Sequence, residues 1–119
     1  MAEYNLKHYA HIGDAVWELF IREYVIQKFN VQKAIHNNTV KYVNADFQSS
    51  LIEILEPLLT EDEKELLKRG RNLSLTISKK HNPQTHRYAT AFEVLIGYFY
   101  LNDKARLNRI FEIIKEKAL

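Results

Sequence analysis

Apolar residues recur at spacings of three and four along most of the chain, and no stretch alternates with period two over a useful length. That pattern predicts helices throughout. From about Asn5 to Gln27 the apolar stripe is Tyr9, Ile12, Val16, Leu19 and Phe20. Asn30 to Asn38 reads as a connection, in which Asn37, Asn38 and Thr39 offer caps for a second helix. That helix runs to about Leu55 on Val43, Phe47, Leu51, Ile54 and Leu55, and Pro57 ends it or lies just past it. Thr60 followed by Glu63 makes a capping box for a short charged helix to about Arg69. A basic connection with a turn at Asn82 and Pro83 leads to a helix from about Thr85 to Leu101. Asn102 and Asp103 separate it from a last amphipathic helix with Leu107, Ile110, Phe111 and Ile114 inward. The expected class is all-α.

Two of these helices carry acids out of place. Tyr88 to Leu101 (YATAFEVLIGYFYL) is apolar nearly all round, as for a helix at the centre of a bundle, yet Glu93 sits in its middle. A buried carboxylate costs several kcal/mol unless it meets a cation, a proton or a strong set of donors. Ala10 to Phe20 (AHIGDAVWELF) repeats the anomaly with Asp14 and Glu18, four residues apart on one face. Asp is a poor helix-interior residue, because its side chain competes for nearby backbone groups. Gly13 borders Asp14, and Gly97 lies about one turn beyond Glu93, so both helices have a place where another backbone comes close. The expectation is that they cross there with the two carboxylates facing each other.

At about 4 Å two carboxylates repel by roughly 4 kcal/mol at an effective dielectric near 20. A divalent cation reverses that sign. Magnesium takes one or two carboxylates plus waters and phosphates, so a lean pair suits it; calcium wants more protein oxygens and zinc wants His or Cys. His11, one turn from Asp14, reads as structural. Glu18 is either an outer partner of the site or an ordinary surface acid.

Composition adds exclusions. With no Cys, disulfides, thiolate zinc sites and cysteine nucleophiles are ruled out. There is no GxSxG, P-loop or HExxH motif, and the five His residues lack ligand spacing. No apolar run approaches about 18 residues and the first ten residues lack a signal-peptide core, so a cytoplasmic protein without a membrane partner is expected. The length of 119 residues suits a single domain, 1–119. Net charge is only +2, but Lys68 to Arg87 holds six basic residues and no acid, leaving 11 basic against 15 acidic residues elsewhere. A mildly acidic body with one basic strip points to a polyanion partner.

The stretch HIGDAVWE resembles the signature of ribonuclease III catalytic domains, and YATAFEVLIGYFYL resembles their second acidic helix. The blocks AHIGDAVWELFIR, KYVNADFQ, LLKRGRN and HRYATAFEVLIGYFYL are together similar to Mini-ribonuclease III, the bacterial branch without a double-stranded-RNA-binding domain. The resemblance implies a ribonuclease III-like helical endonuclease domain in which Asp14 and Glu93 are the catalytic, metal-binding acids. Fuller family members carry acids seven and four residues before that Asp, where this chain has Lys7 and Ala10, and a third three before the Glu, where it has Thr90. It further implies a homodimer with Mg²⁺ as cofactor, Mn²⁺ able to substitute, and two sites across one duplex. The products would be staggered ends with 5′ phosphates and 3′ hydroxyls, and the natural substrate precursor 23S ribosomal RNA. Arg69, Arg71, Lys79, Lys80, His86 and Arg87 are the RNA-binding choices, with Asn72 and His86 toward 2′-hydroxyls. A non-catalytic RNA-binding relative of the same fold is the alternative.

Overall fold

The computed structural model describes residues 4–73 and 83–119, and every regular element among them is helical. α1 spans Leu6–Lys28, α2 Gln32–Val43, α3 Ala45–Leu55, α4 Glu61–Arg71, α5 Pro83–Asn102 and α6 Lys104–Ala118. A single 3₁₀ turn, Glu56–Leu58, carries Pro57 and ends α3.

α5 is the axis of the bundle. It packs most extensively on α1 and also meets α4, α3 and α6. Ala91, Phe92, Val94, Leu95 and Ile96 are fully buried, the burial expected of a helix apolar on all sides. Trp17 of α1 stands edge-on to Phe92 with ring centroids 5.0 Å apart, and its indole N–H donates to the Tyr42 carbonyl oxygen at 2.9 Å. One side chain thereby fixes α1 against both α5 and α2, with its polar tip satisfied. Phe20 stacks on Phe111 at 3.9 Å and brings α6 onto the same cluster.

The ends are set by local chemistry. Thr60 accepts from the Glu63 N–H and Glu63 accepts from the Thr60 N–H, so the expected capping box opens α4. Asp103 accepts from the Arg106 N–H and starts α6.

Two expectations are corrected. Asn30–Asn38 is no connection, because α2 already begins at Gln32. Asn38 donates to the Ala34 carbonyl and Thr39 to the Ile35 carbonyl, each bonding one turn back inside the helix rather than capping it. The break falls at Asn44, which caps α3 by accepting from the Phe47 N–H and also donates to the carbonyls of Val40 and Lys41. The apolar face of α1 is also rotated from the expected one. Its buried positions are Gly13, Trp17, Ile21 and Val25, whereas Leu19 is 58% exposed. The close approach at Gly13, described below, fixes that rotation. No described helix is long and apolar enough to cross a membrane.

Candidate active site

The site begins with two glycines. A Cβ at Gly13 would collide with the backbone carbonyl of Glu93, and one at Gly97 would collide with the carbonyl of Tyr9. Neither glycine has positive φ, so what each position requires is the missing side chain, not an unusual backbone angle. α1 and α5 run antiparallel and touch backbone to backbone over one turn. This contact places Asp14, the neighbour of Gly13, beside Glu93.

Asp14 is exposed and Glu93 half-buried. Burial pushes the Glu93 carboxyl up to about 9, reinforced by its hydrogen bond to Asp14 and by the Asp14 charge, while Gln48 opposes the shift. At neutral pH and without a cation, the Glu93 carboxyl therefore keeps its proton and hydrogen-bonds to Asp14. Two acids in contact retain one proton because two like charges cannot both remain there cheaply. A divalent cation would replace that proton and neutralise both groups. The pair fits such an ion, since its carboxylates are hard oxygen donors already in contact, and among the described residues neither forms an ion pair with a cation. Among the described residues no group of three or more His, Asp or Glu is placed to hold a metal, so protein ligation at this point is lean.

The remaining positions sort clearly. Glu18 pairs with Arg22 at 3.2 Å on the surface of α1, the geometry of an i,i+4 surface ion pair. His11 and Lys7 are exposed, Ala10 is half-buried and Thr90 is buried. Arg69 and Arg87 are exposed, as is Asn72. Arg71 is half-buried with its guanidinium 5.6 Å from the centre of the Tyr88 ring, so stacking holds it between α4 and α5. His86 is also half-buried and its Nε2 is buried without a hydrogen-bond partner. Lys79 and Lys80 lie outside the described residues.

One residue escaped the sequence reading. Gln48 of α3 is 3% exposed, with an Nε2 that closes no well-formed hydrogen bond although the side chain reaches Glu93. An unsatisfied buried amide costs about 1–3 kcal/mol. The signal was available: Gln48 lies on the stripe of Leu51, Ile52 and Leu55, where a Gln is as anomalous as Glu93 is on α5.

The ribonuclease III domain matches residues 7–104. Mini-ribonuclease 3 of Gloeobacter violaceus is 41% identical over 112 residues, 94% of this chain and 83% of that protein. Mini-ribonuclease 3 of Clostridium tetani is 44% identical over 110 residues, 88% of this chain and 72% of that one. A protein of Fusobacterium nucleatum with a crystal structure superposes with a TM-score of 0.85 at 30% identity, covering 98% of this chain and 96% of its own.

Proposed function

The chain belongs to the ribonuclease III family of endoribonucleases, and from that premise we propose that it hydrolyses double-stranded RNA at the Asp14–Glu93 pair with Mg²⁺. The family is generally metal-dependent and its substrate is duplex RNA. On this reading precursor 23S ribosomal RNA is the natural substrate, residues 1–119 act as one catalytic domain, and the place of action is the cytoplasm; the similarity to Mini-ribonuclease 3 proteins supports it. What carries the reading is the contact between the Asp14 and Glu93 carboxylates at the glycine crossing of α1 and α5.

When bound, Mg²⁺ supplies the positive charge that polarises the scissile phosphodiester and stabilises the departing 3′ oxygen. The chain supplies everything that makes such an ion welcome. Glu93 surrenders its proton on metal uptake, and the buried wall of α5 keeps the charge from being screened. Asp14, on the exposed side, faces the approaching duplex. Arg69, Arg71, Lys79, Lys80 and Arg87 meet phosphates, and His86 adds a contact to the RNA; the stacking of Arg71 on Tyr88 pre-orders one guanidinium for that purpose. Homodimerisation places two such sites on opposite strands. Leu19 and Ile26, seven residues apart on α1 and 58% and 61% exposed, give a second copy an apolar seat. A non-cutting RNA-binding relative has no use for an acid pair held at this cost.

Long duplex RNA incubated with the protein and Mg²⁺ should yield fragments with 5′ phosphates and short 3′ overhangs, and EDTA should abolish them. Intact RNA in both lanes would remove the nuclease reading.

A further inference from the structure

The chemistry above makes no use of Gln48, yet its placement is as deliberate as that of the acids. It occupies the start of α3 on the face that buries Leu51, Ile52 and Leu55. Asn44 caps that helix and Leu51 and Leu55 anchor it in the core, so the amide is carried on a rigid element. A leucine would satisfy the pattern better than the glutamine does. Gln48 Nε2 and His86 Nε2 are the only buried side-chain polar atoms without a partner among the described residues, and such atoms in a native fold call for an explanation.

The explanation lies across the α3–α5 interface. The Gln48 side chain reaches the Glu93 carboxyl, while its Nε2 closes no hydrogen bond. We propose that Gln48 is a positioning residue whose amide N–H donates to one Glu93 oxygen and aims the other at a divalent cation shared with Asp14. The inference rests on the metal-site reading above. A carboxylate that holds a cation through one oxygen leaves the second to accept from a neutral donor. A primary amide suits that role, since it offers two N–H groups without adding a competing charge. Outer partners of this kind fix the orientation of a ligating carboxylate and change metal affinity or turnover by about 10–100-fold when removed.

The test compares wild-type protein with Gln48→Leu and Gln48→Met, which keep the volume and remove the donor. Three quantities are measured: thermal unfolding without metal, Mn²⁺ binding by electron paramagnetic resonance, and duplex-RNA cleavage with its kcat and KM. The expected result is a Tm equal to or above wild type, because an unpaired buried donor has gone. Mn²⁺ affinity or kcat should fall about 10–100-fold, with KM for RNA unchanged. Mn²⁺ affinity and kcat indistinguishable from wild type would overturn the proposal. Failure of both variants to fold would also overturn it, by assigning the amide to packing alone. If the variants cut normally while wild-type cleavage is robust, only the role of the amide is lost. If wild-type protein cuts no duplex, the nuclease reading is lost, and the Mn²⁺ titration still decides on Gln48.

Discussion

Glu93 and Glu63 are both partly buried glutamates on helices, and the fold treats them in opposite ways. Glu63 meets Arg106 through two hydrogen bonds of 2.8 and 2.9 Å, and Arg106 also donates to the Leu58 carbonyl at 3.0 Å. Burial alone would raise the Glu63 carboxyl, but the Arg106 hydrogen bond, the Thr60 N–H and the Arg106 charge together hold it below its usual value. Glu93 meets another acid instead, and burial plus Asp14 pushes it up to about 9. The clasp between α4 and α6 is complete within the chain. At the crossing of α1 and α5, no ion pair neutralises the acids among the described residues. Satisfied charge marks architecture here, and unsatisfied charge marks the place where something is meant to bind.

The comparison breaks most decisively at the acids themselves. Asp14→Asn or Glu93→Gln should lower duplex cleavage by about 10³-fold or more, read as initial rates at saturating Mg²⁺. The fold should survive, and Glu93→Gln should unfold at the same temperature as wild type or higher, since a costly group has gone. Gly13→Ala comes next. Its methyl meets backbone, which cannot rotate away, so the crossing must spread; about 3 kcal/mol of stability should be lost, together with cleavage. Thermal unfolding and initial rates on the same variant would check both.

Arg106→Ala should cost about 2–3 kcal/mol in stability by stranding Glu63, and should leave the per-site cleavage rate of the folded protein unchanged. A loss of rate at a temperature well below its Tm would mean that the two regions are not independent.

The smallest effect is in the pH dependence of unfolding without metal, where the exposure of Asp14 lets solvent screen the pair. Glu93 is raised above its unfolded value of 4.5, so its contribution is complete below about that pH and declines as pH climbs toward about 9. Glu63 is lowered, so its contribution is present above its unfolded value and disappears as pH falls through its folded one. The Tm of metal-free protein should therefore decline between about pH 4.5 and about 9, Glu93→Gln should flatten that decline, and Mg²⁺ should lift it. An unchanged decline over that range in Glu93→Gln would show that burial does not hold the Glu93 proton.

Much of this was legible in the residues. A carboxylate on a helix apolar all round, and an Asp beside a glycine on another, are anomalies visible without coordinates, and together they indicated the crossing. The rotation of α1 was not visible in the same way. Trp17, Ile21 and Val25 compete with Val16, Leu19 and Phe20 for the inward face, and backbone contact at Gly13 decides between them. The Asn-rich segment before Asn44 concealed α2, because poor helix formers lie within it and their side chains bond back to the turn before. Gln48 interrupts the apolar stripe of Leu51, Ile52 and Leu55 in the sequence, but its partner across the helix interface does not show there. Glutamine is a good helix former, and its burial is decided by what α3 packs against.

The central claim is that the Asp14–Glu93 contact is a cation site closed by a proton until metal arrives. The most direct measurement is calorimetric titration of Mg²⁺ at pH 7 into wild-type protein and Glu93→Gln, in two buffers of different ionisation enthalpy. Wild type should bind Mg²⁺ with an apparent enthalpy that differs between the buffers, because a proton is released, and Glu93→Gln should lose both the binding and the difference. Equal Mg²⁺ binding by the two proteins, with no dependence on buffer, would contradict the account.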